Sequence, residues 1–259
     1  MNPTVKFSNA EAYEHYMGRW SRLFARRFVD FVGITDGDRL LDVGCGTGSL
    51  TYTLAASASR SEIVGIDPSS AFVEYAQSRT SDPRVSFDVG SALSLPYPDA
   101  SFDKCLCLLV LQFIPDVGRA IEEMRRVLRH GGSAAACVWD KDIMEMHSVF
   151  WEPAAELEPG VKRGSGAPYT SGQLAALWKQ SGLRSVEETA LEMRLEFTSF
   201  DDFWNPHLGG QGPSGSYLVS LPADQQIALR ERVREKVLDA GPDRPFTLRA
   251  KAWAVRGVK

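Results

Sequence analysis

From residue 39 onward the chain alternates short apolar runs with longer stretches whose apolar positions recur every three or four residues. The runs are RLLDVG (39–44), EIVGID (62–67), VSFDVG (85–90), KCLCLLV (104–110) and SAAACVW (133–139). Each has the length of a strand, and KCLCLLV has the unbroken apolar character of a strand buried on both faces. Helices are expected between them, at about 49–58 and over SSAFVEYAQSR (69–79). Another follows Asp116, where Val117, Ala120, Ile121, Met124, Val127 and Leu128 keep helical spacing until Arg129-His130-Gly131-Gly132 stops it. Such alternation predicts a parallel sheet with helices on both faces.

The flanks read differently. Ser8-Asn9-Ala10-Glu11 fits a capping box, so a helix is expected from about residue 9, with Gly18 as a candidate interruption. Trp20, Leu23, Phe24, Phe28 and Phe31 continue it as an apolar stripe. Residues 140–170 read as irregular. They are followed by a helix at 171–183, a strand at 186–197, a loop-rich stretch at 198–226, a charged helix at about 223–239 and a last strand at 246–257. The two late strands are expected as an antiparallel pair at the sheet edge. The fold class is therefore α/β: a Rossmann-like, mostly parallel seven-stranded sheet with one antiparallel edge strand. We expect a single domain over 1–259: a helical cover at 1–35, a cofactor-binding core at 36–139, substrate-side insertions and a lid at 140–245, and a closing edge strand at 246–259.

Composition narrows the function. At 259 residues, with 44% apolar and 24% charged positions, the chain has the make-up of a globular protein. Its net charge of −4 disfavours a grip on a phosphate backbone, so no nucleic-acid partner is expected. Cys45, Cys105, Cys107 and Cys137 form no CxxC pair, which argues against a disulfide framework or a zinc site. His15, His130, His147 and His207 have no metal-ligand spacing either. No run approaches the ~18 apolar residues of a membrane span, and the first residues lack an apolar signal core. A cytoplasmic location is expected.

The chemistry concentrates in LLDVGCGTGSL (40–50), where a strand runs through a G-x-G-x-G turn into a helix. Glycine suits a tight turn at which a ligand approaches the backbone. The dinucleotide fingerprint is G-x-G-x-x-G/A; here the third glycine comes one residue early and Ser49 stands at the last position. Asp67 ends the second strand, where a carboxylate can take both hydroxyls of a ribose. The shortened spacing, with Asp42 at the end of the first strand, favours S-adenosyl-L-methionine over a nicotinamide cofactor.

LLDVGCGTGSLT, VGIDPSS, LPYPDASFD, LQFIPD and EEMRRVLRHGG, in this order, resemble the motifs of class I S-adenosylmethionine-dependent methyltransferases, in particular the ubiquinone/menaquinone-biosynthesis branch. The resemblance spans roughly 36–139. It implies that Asp42 and the loop Gly44, Cys45, Gly46, Thr47 and Gly48 hold the methionine moiety, that Asp67 binds the ribose, and that Pro68 and Ser69 flank the adenine. Ser91 and Ala92 take the place where the family has Asp or Asn followed by Ala, at the adenine amino group. Leu108 and Leu109 lie beside the sulfonium. Gln112, also assigned to the cofactor set, replaces a common His or Arg, and His130 replaces a proline. The implied product is S-adenosyl-L-homocysteine.

Several residues stay open between packing and function. Tyr13, Tyr16, Arg19 and Trp20 either pack a helix on the sheet or reach over the cofactor, with Tyr16 and Arg19 as the candidates near the methionine carboxylate. Trp139, His147, Trp204 and His207 are the acceptor-pocket candidates, the two histidines being the available bases. Trp178 is expected in the core. The 198–226 stretch, with Trp204, His207 and Gly209, Gly210, Gly212 and Gly215, is expected to act as a mobile lid. The expected activity is methyl transfer to a small-molecule acceptor by a monomer or homodimer. A protein that binds S-adenosylmethionine without transferring the methyl group is the alternative.

Overall fold

The computed structural model describes residues 9–161 and 169–259. Ser8 of the expected capping box, and Gly164, Gly166 and Pro168, lie outside the described residues. Five strands run parallel: β1 (Arg39–Val43), β2 (Glu62–Asp67), β3 (Val85–Val89), β4 (Phe102–Leu108) and β5 (Leu128–Met144). With β6 (Arg184–Phe197) and β7 (Phe246–Val258) they form one seven-stranded sheet in the order β3-β2-β1-β4-β5-β7-β6. β7 pairs antiparallel with both β5 and β6. The antiparallel pair thus completes this side of the sheet as expected, but the closing strand 246–259 stands one place in from the rim, which β6 forms.

The strand order reverses between β1 and β4, the position at which open α/β sheets leave a crevice at their carboxyl ends. Helices α2 (Arg19–Val32), α3 (Ser49–Ser57) and α4 (Ser70–Ser78) cover one face. There Phe24, Phe28, Leu50, Leu54, Val73 and Ala76 join Leu40, Ile63 and Leu106 in one core. Helices α5 (Val117–Val127) and α7 (Gln173–Gln180) cover the other, with Ile121, Met124, Leu174 and Trp178 against Leu41, Val64 and Cys105. Trp178 is fully buried and donates its Nε1–H to Ala134 O at 3.1 Å, the expected core role. Asp116 caps α5 by accepting from the Arg119 N–H at 2.9 Å.

The N-terminal helix begins with α1 (Ala10–Tyr13), whose N-cap Asn9 accepts from the Ala12 N–H at 3.0 Å. It passes through a π-turn at Glu14–Gly18 into α2, so Gly18 closes a wide turn without ending the helix.

The larger difference lies after β5. Residues 145–157 are a helix, α6 (Glu145–Leu157). The stretch expected as loop is α8 (Phe200–Trp204), a 3-10 turn at Asn205–Gly209 and α9 (Gly212–Ser220), leading into α10 (Ala223–Leu238). Its glycines and proline are punctuation between short helices: Gly210 and Gly212 hold positive φ, and α9 has a proline in its first turn. Phe150, Trp151, Phe200, Phe203, Trp204, Tyr217 and Leu218 join the core of the α2 face.

Candidate functional site

The glycine loop leaves β1 and is tied to β2 by backbone. The N–H groups of Gly44 and Cys45 both donate to Ile66 O, at 2.7 and 3.0 Å. Gly44 and Gly48 have φ of +76° and +88°, a region costly for residues with a Cβ. Space is short as well: a Cβ on Gly44 would lie 2.6 Å from Val110 Cγ1, and one on Gly48 2.7 Å from the Tyr52 ring. The loop feeds α3, whose N-cap Gly48 supplies no side-chain acceptor, so the positive end of that helix faces the loop.

Two carboxylates flank the loop. Asp42 is 1% exposed; its Oδ2 accepts from Thr51 Oγ1 at 2.7 Å, while Oδ1 is buried and meets no donor among the described residues. Burial, with the charge of Asp67 adding to it, pushes the Asp42 carboxyl up to about 7. Asp67 is also buried. It accepts the Gly46 N–H on Oδ2 at 3.0 Å and the Ser69 N–H on Oδ1 at 2.9 Å. Burial raises its carboxyl above the ordinary value, against the two backbone bonds that lower it. Ser69 in turn caps α4, its Oγ accepting from Phe72 N at 3.4 Å, and Pro68 is exposed.

The end of β4 adds a strained backbone. Leu109 has φ +59°, unusual for a residue with a side chain. It is held on both sides, its N–H donating to Cys137 O at 2.7 Å and its carbonyl accepting from Gln112 Nε2 at 2.8 Å. Gln112 Oε1 is a second buried acceptor without a donor among the described residues. Strain and unanswered polar atoms gathered at one sheet edge are the marks of a binding site. Leu108 and Leu109, each 8% exposed, are the apolar neighbours there. Ser91 is exposed and accepts from the Leu93 N–H at 3.2 Å, and Ala92 is half-buried beside it.

The N-terminal helix reaches this edge through a residue that sequence reasoning missed. Glu14, in the π-turn, accepts from Thr47 Oγ1 of the glycine loop at 2.8 Å and pairs with Arg22 and Arg79. A Cβ on Gly18 would overlap the Glu14 carboxylate, so that glycine makes room for it. No spacing rule singles Glu14 out, because the contact depends on a π-turn. Tyr13 packs its ring 5.2 Å from Phe72, which places it on the Asp67 side.

The candidates for the methionine carboxylate, Arg19 and Tyr16, have partners on α8 and α9. Arg19 Nη1 is bound to both oxygens of Asp202, at 2.9 and 3.1 Å, and its guanidinium stacks 4.2 Å over Trp20. Tyr16 shares a 2.8 Å hydrogen bond with Ser214 and meets His207 edge-on at 5.1 Å. These contacts fasten the N-terminal helix to α8 and α9, while Arg19 Nε is buried and meets no hydrogen-bond partner among the described residues. Trp20 is core.

The acceptor-side candidates also divide. Trp204 and His207 are buried at 2% and 1% exposure. Trp204 stacks 5.9 Å from Phe200, and His207 lies parallel to Phe150 at 5.2 Å. Both side chains are packed within the cap. His207 bonds Phe203 O through Nδ1 at 3.0 Å; a carbonyl cannot donate, so Nδ1 carries the proton. Burial lowers its pKa to about 4, with His147 contributing, so the ring is neutral at neutral pH. Trp139 is half-buried, edge-on to Phe24 at 4.8 Å, and His147 is half-buried on α6.

The structure brings Asp42, Gly44–Gly48, Asp67 and Ser69 together with the Leu109–Gln112 turn at the switch point of a Rossmann-like α/β fold. Residues 41–136 match the family described as a methyltransferase domain. Over 113 residues the chain is 41% identical to 27-O-demethylrifamycin SV methyltransferase of Amycolatopsis mediterranei, spanning 42% of this chain and 41% of that one. Over 134 residues it is 34% identical to 2-phytyl-1,4-naphtoquinone methyltransferase of Synechococcus elongatus, spanning 50% and 54%. The chain thus matches about half the length, or less, of these curated relatives. The fold extends further. The YcgJ protein from Bacillus subtilis superposes with a TM-score of 0.61 at 20% identity, over 93% of this chain and 98% of that one. A Haemonchus contortus phosphoethanolamine N-methyltransferase solved with S-adenosyl-L-methionine gives 0.60 at 18%, over 96% and 56%. Among the described residues no helix is long and apolar enough to cross a membrane.

Proposed function

We propose that the protein transfers a methyl group from S-adenosyl-L-methionine to a small-molecule acceptor by direct in-line displacement, releasing S-adenosyl-L-homocysteine. The observation that carries this reading is the buried, donorless Oδ1 of Asp42 beside a loop that admits no Cβ at Gly44. That pairing suits a ligand with a cationic amino-acid end lying against backbone. Asp42 faces the ammonium, the Gly44–Gly48 backbone cradles the methionine portion, and Asp67 takes the ribose hydroxyls while bracing the loop. Leu108 and Leu109 keep water from the reacting centre. When bound, the cofactor supplies a methyl group already activated by its sulfonium. The protein's remaining task is alignment.

No strong base is needed for this, and the buried His207, with its pKa near 4, is a weak one. A small, quinone-type acceptor agrees with the naphthoquinone methyltransferase among the relatives and with the net charge of −4. The test is formation of S-adenosylhomocysteine with reduced naphthoquinones as acceptors. Cofactor binding without turnover across such acceptors favours a binding protein instead.

A further inference from the structure

Gln112 differs from the other polar groups of the site in what it has left to offer. Its Nε2 is used by the Leu109 carbonyl, and because a carbonyl only accepts, that bond fixes which way round the amide lies. The remaining atom, Oε1, is a pure acceptor, buried and without a donor among the described residues. Leu109 is itself pinned in the left-handed region by bonds on both sides, so the turn that aims the amide is rigid. Val110 of the same turn lies against Gly44, so the turn that carries Gln112 abuts the glycine loop.

Its place across the sheet says what it meets. Asp67 is on β2, Asp42 on β1, and the Gln112 turn follows β4, in that spatial order. A ligand held by Asp67 and Asp42 therefore ends near β4, and the next group along belongs to a second molecule. We propose that Gln112 Oε1 accepts a hydrogen bond from a hydroxyl of the methyl acceptor, selecting acceptors that carry an O–H on or beside the reacting atom. This rests on the methyltransferase reading above and moves Gln112 from the cofactor to the acceptor. An amide takes no proton at neutral pH; it orients the hydroxyl and turns away analogues that lack one.

The probes are naphthohydroquinone, kept reduced, and its dimethyl ether, titrated into the protein saturated with S-adenosylhomocysteine. The wild type should bind the hydroquinone about tenfold more tightly than the ether. Gln112→Met, of similar length but with no acceptor oxygen, should bring that ratio to within about twofold while leaving S-adenosylhomocysteine affinity unchanged. Gln112→His keeps both a donor for Leu109 O and an acceptor nitrogen, and should retain the preference. Equal binding of the two probes by the wild type, no binding of either, or the same preference in Gln112→Met overturns the proposal. If S-adenosylhomocysteine itself does not bind, it is the methyltransferase reading that fails.

Discussion

Thr51 Oγ1 donates to Asp42 Oδ2 at 2.7 Å and so leaves Oδ1 as the unanswered oxygen at the carboxyl end of β1. One bond from the first turn of α3 orients the carboxylate and leaves its second oxygen without a donor among the described residues.

That carboxyl has a readable pH signature. Burial raises it to about 7, so the folded chain keeps the proton at pH values where the unfolded chain has lost it. Its contribution to stability is complete below the unfolded value of about 4 and is lost as pH rises towards 7. Asp42→Asn removes this titration. The melting temperature of the variant relative to wild type should therefore climb between about pH 4 and pH 7. A difference independent of pH would show that Asp42 is ionised throughout. The same variant should bind S-adenosylhomocysteine more weakly.

Asp67 braces Gly46 and Ser69 through its two oxygens, and the proposed cofactor site adds the ribose to its partners. Asp67→Ala should weaken S-adenosylhomocysteine binding by about 1.5–3 kcal/mol through loss of charge-assisted hydrogen bonds. Calorimetry at equal cofactor saturation reads this directly, and unchanged affinity removes Asp67 from the site.

The loop glycines should not be equivalent. Gly46 has φ +52° but open space, the nearest atom to a Cβ being 3.9 Å away on Phe72. Gly46→Ala should cost only the backbone strain, about 1–2 kcal/mol. Gly44→Ala adds the overlap with Val110 and should cost more in both stability and cofactor affinity. Equal losses in the two variants would show that Val110 moves aside freely.

Much of the core was legible because its signals are local. The apolar runs, the helix start after Asp116 and the glycine turn each announce themselves within a few residues, and each formed, though β5 begins at Leu128, which helical spacing had assigned to the preceding helix. What escaped depends on distant partners. Glu14 matters only because a π-turn aims it at Thr47, and Arg19 is claimed by Asp202, 183 positions away. The glycines at 209–215 looked like a mobile loop, yet Gly209 lets α1 approach: a Cβ there would lie 2.9 Å from Ala12 Cβ. Leu109 carries no sequence mark of a left-handed backbone, since the bonds from Cys137 and Gln112 impose it.

The cap yields a prediction opposite to that of a lid. Trp204 is 2% exposed and stacked on Phe200, so Trp204→Ala should destabilise the fold by about 3–5 kcal/mol. Arg19→Ala, which breaks the latch to Asp202, should lower the melting temperature while leaving S-adenosylhomocysteine affinity unchanged. Thermal melts with and without the ligand separate the two effects. A Trp204→Ala protein of wild-type stability would restore the mobile-lid expectation.

The central claim is that the carboxyl ends of β1, β2 and β4 hold S-adenosylmethionine. Isothermal titration with S-adenosylhomocysteine and, in parallel, with NAD tests it most directly. The predicted result is saturable binding of S-adenosylhomocysteine, one per chain, abolished or much weakened by Gly44→Ala and Asp42→Asn, with no heat from NAD. Binding of NAD in its place, or S-adenosylhomocysteine binding indifferent to both substitutions, contradicts it.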